Sequence, residues 1–285
     1  MARGDFHLHS TASDGMQSPT WVMETAAANG VEVLALTDHD STEGLAEAES
    51  VARNLGLELI PGIEISVRYR ELDVHLLGLA FEVDTGPLQE FLASQRDGRF
   101  GRAGQIVQKL RDLGVEIDLD RVFEIAGDAT VGRPHVARAL MQAGHVRSVA
   151  EAFDRWIGND GPAYVGREHL DPRKAIALIH SAGGVAVAAH PPFVGPDFPE
   201  IVDELAALGL DGIEAHYKHY DPDLVSRLQS VADAHGLAKS GGSDYHGLGN
   251  LNDREIGDIP FPGPAVDEFL EFLRTNSANA RLTTP

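Results

Sequence analysis

The chain has 285 residues, 43% of them hydrophobic, enough for one large globular domain with a sizeable core. It has no cysteine, which excludes disulfides, zinc ribbons, iron–sulfur clusters and thiol nucleophiles, and leaves any metal to His, Asp and Glu. A formal net charge of −21 opposes binding to duplex DNA; with no signal-like start and no long apolar run, a membrane partner is not expected and the cytoplasm is the expected compartment.

In chain order, Phe6–His9 is a short extended run after Gly4. Trp21–Asn29 reads as a helix, entered through Ser18-Pro19 and closed by Gly30. Val31–Thr37 is a strand, Ser41–Leu55 a helix stopping at Gly56, and Leu57–Val67 and Leu72–Phe81 two further strands. Between 87 and 164 no strand is evident; Phe91–Leu113, Asp120–Ile125, Pro134–Ala143 and Val149–Ile157 are helical. Strand–helix alternation then resumes with helix Pro172–Ala182, strand Val185–Ala189, helix Ile201–Leu208, strand Gly212–Ala215, helix Pro222–His235, strand Lys239–Gly242 and helix Ala265–Thr275. This alternation predicts an α/β fold with a parallel sheet, closed or nearly closed into a seven-stranded barrel from 1–86 and 165–285. Residues 87–164 are then a helical insertion.

Side chains with metal-ligand chemistry fall at the strand ends or within apolar strands. His7 and His9 share one strand at spacing two, so both rings leave the same face. Asp14 follows in a loop, and Asp38 and His39 end the second strand. Glu64 and His75 interrupt apolar strands, His190 ends the fifth strand, and Asp244 and His246 end the seventh. Taken singly, each has a structural explanation: surface histidines, a solvent-facing acid, a helix-capping Asp. Together, Asp38 aside, they are six histidines and three carboxylates at one end of a barrel, where parallel β/α barrels place their chemistry. Such a donor set suits two or three divalent ions of the Mn²⁺, Fe²⁺ or Zn²⁺ type, with Glu64 as the shared carboxylate. Asp38 is expected either to orient a ligand imidazole or to cap the helix starting near Thr42. His145, His169, His180, His216, His219 and His235 are expected to be surface or satisfied core residues, with His216 and His219 on the active face.

Asp5-Phe6-His7-Leu8-His9-Ser10, Leu36-Thr37-Asp38-His39-Asp40, Gly62-Ile63-Glu64, His75, Ala189-His190-Pro191 and Gly242-Ser243-Asp244-Tyr245-His246 resemble, in order, the motifs of the PHP (polymerase and histidinol phosphatase) superfamily. The resemblance implies a distorted (β/α)7 barrel with a metal cluster at its C-terminal mouth. It also implies three metal sites: His7, His9, Glu64 and Asp244; Glu64, His75 and His190; Asp14, His39 and His246. The segment Gly132-Arg133-Pro134-His135-Val136-Ala137-Arg138-Ala139-Leu140 is similar to that of the branch holding nucleoside 3′,5′-bisphosphate phosphatases and 5′-to-3′ exonucleases of short RNA. There it is expected to lie over the mouth and to contact substrate phosphate through Arg133 and His135. The implied reaction is hydrolysis of a phosphate ester by a metal-activated hydroxide, with Arg133 gripping phosphate and His190 or His135 protonating the leaving oxygen. The implied partner is a phosphorylated nucleotide or the end of a short single-stranded RNA. A histidinol-phosphate phosphatase, or another small-molecule phosphomonoesterase of the superfamily, is the alternative. The sequence leaves the oligomeric state open.

Overall fold

Seven strands form one sheet in chain order: β1 (Gly4–Asp5), β2 (Val33–Leu36), β3 (Glu58–Tyr69), β4 (Leu72–Leu79), β5 (Val185–Ala188), β6 (Gly212–Tyr217) and β7 (Ala238–Gly242). The structure is a computed structural model and describes residues 4–127, 131–158, 160–166, 170–248 and 255–278. The last strand returns to the first. Phe6 N–H donates to Gly241 O at 3.0 Å, Asp244 N–H to His7 O at 2.8 Å, and His9 N–H to Tyr245 O at 3.0 Å. These bonds make the sheet a nearly closed barrel. β2 and β5 are buried along their whole length, as expected of strands covered on both faces.

One expectation is corrected. The sheet is not all parallel, because β4 runs antiparallel to both β3 and β5. β3 and β4 are joined by the two-residue turn Arg70-Glu71, with φ of 48° and 64°. Positive φ at both central residues matches the right-handed twist of a hairpin, but this turn is normally announced by Asn-Gly or Asp-Gly. The reversal matters for the site. His75, near the start of β4, pairs with Ser66 and so stands close to Glu64 on β3.

The helices are α1 (Pro19–Ala28), α2 (Leu45–Leu55), α3 (Gly86–Asp112), α4 (Leu119–Ala126), α5 (Arg133–Gln142), α6 (Val149–Ala152), α7 (Pro172–Ser181), α8 (Phe198–Ala207), α9 (Pro222–His235) and α10 (Gly263–Asn276). A π-helical turn, Phe153–Ile157, continues α6. Ser18 caps α1 by accepting the Trp21 N–H at 3.2 Å. α2 begins at Leu45 rather than Ser41, because Asp40 is left-handed (φ 47°) and residues 41–44 turn before the helix is entered.

The chain divides into two compact units, Met1–Gln89 with His169–Pro285, and Glu90–Glu168. In the first, Val33, Ala35, Ile60, Leu79 and Val187 join Phe6 and the α10 face Val266, Phe269 and Leu273 in one core. Phe6 meets Phe269 edge-to-face at 5.0 Å. The second unit has its own core, including Leu110, Val122, Val136, Leu140 and Ile157, built from helices alone among the described residues. No described helix is long and apolar enough to cross a membrane.

Candidate metal centre

The extended run after β1 turns the rings of His7 and His9 to one side, and the sheet register brings two acids to meet them. His7 Nε2 lies 3.1 Å from His9 Nε2, 3.2 Å from Glu64 Oε2 and 3.3 Å from Asp244 Oδ1. His9 Nε2 lies 3.2 Å from the same Glu64 oxygen and 3.1 Å from the same Asp244 oxygen. Glu64 continues the cluster through both oxygens. His39 Nδ1 is 3.1 Å from Oε2, His75 Nδ1 is 2.7 Å from Oε1, and His190 Nε2 is 3.3 Å from Oε1. On the far side of His9, Asp14 lies 3.4 Å from His246 Nε2 and 3.9 Å from both His9 Nδ1 and His39 Nε2. All nine donors singled out in the sequence therefore converge.

Three overlapping groups could each hold an ion: His7, His9, Glu64 and Asp244; His39, Glu64 and His75; and His9, Asp14, His39 and His246. The first has the four members the family resemblance implies. The second collects His39 in place of His190, and the third adds His9. Ligands on one ion with bonds of about 2.1 Å stand roughly 3.0–3.4 Å apart, the spacing found in the first group. His9 Nδ1, His39 Nδ1, His75 Nδ1 and both Glu64 oxygens are buried with no hydrogen-bond partner, although His39 Nδ1 and His75 Nδ1 stand 3.1 and 2.7 Å from the Glu64 oxygens and His9 Nδ1 stands 3.9 Å from Asp14. Each such atom ordinarily costs about 1–3 kcal/mol. Five of them, spread over the overlapping donor groups around Glu64 and Asp14, fit divalent cations.

The backbone is bent to achieve this. His190 (φ 32°), Asp244 (φ 49°) and Asp40 (φ 47°) are left-handed, a conformation costing non-glycine residues on the order of 1 kcal/mol each and concentrated at functional sites. Close packing adds a further constraint. A Cβ on Gly242 would stand 2.2 Å from the Cβ of His7, so only glycine lets β7 pass behind that ligand.

Several supporting residues were not singled out in the sequence. Glu214 on β6 is fully buried, 3.1 Å from His7 Nδ1, and accepts the His190 backbone N–H at 2.7 Å. A carboxylate only accepts, so His7 carries a proton on Nδ1, and once a cation displaces the proton on Nε2 that nitrogen faces the cluster as a lone pair. The available signal was the tripeptide Gly212-Ile213-Glu214, the same as Gly62-Ile63-Glu64. Tyr217 donates its hydroxyl to Asp244 Oδ2 at 2.7 Å, and Lys218 Nζ donates to Asp244 O at 2.9 Å. Asp5 accepts backbone N–H groups of Ser243 and Gly257, both at 2.9 Å, tying β1 to the segment after β7.

Asp38 does not make the expected contact with a ligand imidazole, nor does it cap α2. It accepts from Ser10 N–H and Ser10 Oγ at 2.8 Å and from Ser13 Oγ at 2.7 Å, so it holds the loop that presents Asp14. His216 is turned to Pro260 O (2.7 Å) and stacks on Phe261. His145, His180 and His235 pair with Glu116 O, Asp211 and Asp203, and His169 lies outside the described residues.

Arg133 and His135 belong to the helical unit. The Arg133 guanidinium lies over the rings of Phe153 (5.3 Å) and Tyr164 (5.6 Å), and Nη1 donates to Ile157 O at 3.3 Å. His135 is buried, and its Nδ1 accepts the Gly132 N–H at 3.0 Å, which leaves its proton on Nε2.

Burial alone pushes the His7 imidazole down, but Glu214, Glu64 and Asp244 outweigh it and hold the group well above its ordinary value. Burial likewise depresses His9, and Asp244 and Glu64 raise it to about 10. Burial pushes His39 down to about 3, so it is neutral. Burial raises the carboxyls of Asp14, Glu64 and Asp244, yet the surrounding imidazoles hold all three well below the usual range. A raised histidine stabilises the fold below its unfolded value of 6.5, and that contribution is lost as pH climbs through about 10. The depressed carboxyls stabilise above the ordinary carboxylate range and lose their contribution as pH falls through their folded values. Chelated protein is therefore expected to lose on the order of 5 °C of melting temperature between pH 6.5 and 10. Protein loaded with metal should not, because cations take the place of those protons. Equal melting temperatures of chelated protein at the two pH values would contradict this account.

A nearly closed β/α barrel whose mouth gathers imidazoles and carboxylates around a shared glutamate defines a metal-dependent hydrolase. The PHP domain model matches residues 5–98, which carry His7, His9, Asp14, His39, Glu64 and His75. A 5′-3′ exoribonuclease of Haemophilus influenzae is 39% identical over 245 residues, covering 85% of this chain and 89% of the relative. The chain belongs to the PHP domain family. A 3′,5′-nucleoside bisphosphate phosphatase of Chromobacterium violaceum is 35% identical, covering 91% of this chain and 93% of the relative. Among solved structures, an amidohydrolase from Chromobacterium violaceum with bound sulfate and no metal superposes with a TM-score of 0.84 at 33% identity, covering 95% of this chain and 96% of its own.

Proposed function

We propose that this metal-dependent phosphoesterase hydrolyses nucleoside 3′,5′-bisphosphates and the 5′-terminal nucleotides of short single-stranded RNA. The observation that carries the reading is Glu64, whose two oxygens touch His7, His9, His39, His75 and His190. Two or three divalent ions of the Mn²⁺, Fe²⁺ or Zn²⁺ type would be held by His7, His9, Glu64 and Asp244, by His39, Glu64, His75 and His190, and by Asp14, His9, His39 and His246. When bound, such ions supply Lewis-acid charge to phosphoryl oxygens and lower the pKa of water.

The rest is done by the chain's own side chains. Glu214 and Asp38 fix His7 and the Asp14 loop, so the ligands are held in place before substrate arrives. Arg133 is proposed to grip a substrate phosphate, with its fork of N–H donors matched to paired oxygens. The leaving oxygen takes its proton from His190, if that ring is not committed to metal, or else from His135, which holds one at Nε2. The relatives named for RNA and nucleoside bisphosphate support a nucleotide substrate, and the charge of −21 favours a single-strand end over a duplex. The cytoplasm is the proposed compartment.

Protein loaded with Mn²⁺ is expected to release phosphate from adenosine 3′,5′-bisphosphate, and mononucleotides from 5′-phosphorylated short RNA, faster than it releases phosphate from histidinol phosphate. His9→Ala should abolish both nucleotide reactions. Preference for histidinol phosphate, or a full rate in His9→Ala, would overturn the reading.

A further inference from the structure

We propose that Phe193 is a stacking platform for the substrate's nucleobase, an inference that rests on the nucleotide reading above. Phe193 is 64% exposed, the most of any large hydrophobic side chain among the described residues. It stands in the 3₁₀ turn Pro191–Val194, directly after His190. One face of its ring lies on the His190 imidazole, with centroids 4.8 Å apart and planes 27° from parallel. Its ring also meets Tyr217 edge-to-face at 5.3 Å, and Tyr217 is fully buried and bonded to Asp244. Two groups already tied to the metal-donor cluster therefore set the ring's position.

The backbone under the ring is equally fixed. Pro191 and Pro192 restrict the approach, Phe193 N–H donates to His190 O at 3.0 Å, and Gly195 N–H donates to Pro192 O at 3.1 Å. An aromatic ring held this firmly and left mostly in water gains nothing from packing on its outer face. Beside a cluster built for phosphate, the group that best covers it is a planar base. Stacking accepts every base, because each has a π-face, and so suits both a mononucleotide and successive residues at an RNA end. His190 Nε2 is 3.3 Å from Glu64 Oε1, so one imidazole separates the Phe193 ring from the metal-donor cluster.

The test compares Phe193→Leu, which still covers His190 but has no π-face, with Phe193→Trp, which enlarges it. For adenosine 3′,5′-bisphosphate, Phe193→Leu is expected to raise KM roughly 5- to 150-fold, the range for loss of one base stack, with kcat changed far less. Phe193→Trp should keep KM at or below the wild-type value. Calorimetric binding to the metal-loaded protein gives a readout independent of turnover: Phe193→Leu should weaken adenosine 5′-monophosphate by the same factor and leave inorganic phosphate unaffected. Unchanged KM and nucleotide affinity in Phe193→Leu would overturn the platform. Equal weakening of phosphate and nucleotide would also overturn it, by showing that Phe193 only supports His190. If the wild type turned over no nucleotide, the nucleotide reading itself would fall, and equal wild-type affinities for nucleotide and phosphate would dispose of the platform separately.

Discussion

Glu64→Gln is expected to lose bound metal and turnover together. The substitution preserves volume and removes one charge, so the barrel should fold with an unchanged far-ultraviolet spectrum. The site tolerates the change poorly. Both carboxylate oxygens are committed, Oε2 to His7, His9 and His39 and Oε1 to His75 and His190. A glutamine presents an oxygen to one set and N–H donors to the other, and an amide nitrogen offers no lone pair to a cation. One group must lose its ion, and the neighbouring group loses half of its shared charge. The expected fall in kcat/KM is about 10³-fold or more, beyond the roughly 10- to 100-fold typical of residues outside the ligand shell. Metal content by mass spectrometry after gel filtration should fall by at least one ion per chain. Wild-type content with a wild-type rate would remove Glu64 from the centre of the mechanism. Chelated Glu64→Gln supplies a second signature. The Glu64 charge helps hold His9 up near 10, so its removal should shrink the alkaline loss of melting temperature between pH 6.5 and 10.

How much of this was legible depended on whether the information was local. α9 spans Pro222–His235 as read from the sequence, because its signals are all adjacent: Asp221 caps it, Pro222 opens it and left-handed Gly236 closes it. The nine donors were legible for a related reason, since a polar residue inside an apolar strand or at its end stands out without knowledge of its partners. The direction of β4 was not legible. It hangs on Arg70-Glu71, two residues with no intrinsic preference for positive φ, held there by the pairing of the strands on either side. The partners of Asp38 were missed because adjacency to His39 suggested a contact that the strand geometry does not make. The aspartate turns instead to serines 25 and 28 positions earlier. Glu214 was missed although it repeats the local setting of Glu64, because the more conspicuous donor on β6 is His216, which faces Pro260 and Phe261.

Glu214 offers the second large effect, and a sharper separation of roles. It touches His7 through Nδ1 and His190 through the backbone N–H, so it serves two donors from two strands without facing the ions. In Glu214→Ala, His7 is no longer obliged to keep its proton on Nδ1, and the His190 N–H, in a left-handed residue, loses its acceptor. Metal affinity, read by chelator competition, is expected to fall roughly 10- to 100-fold, with kcat/KM falling alongside. Glu214→Gln should fall between alanine and wild type, because its amide oxygen still accepts but carries no charge, and its NH2 end can only donate. A purely structural role would show as a loss of stability independent of pH. A positioning role predicts otherwise. Burial lowers His7, and Glu214 is the foremost of the carboxylates that raise it, so the chelated wild type gains stability from this contact below pH 6.5 and loses it as pH rises through the raised value. The melting-temperature gap between chelated wild type and Glu214→Gln should therefore be widest below pH 6.5 and narrow as pH climbs through the alkaline range, and a gap that never changes with pH would refute the positioning role.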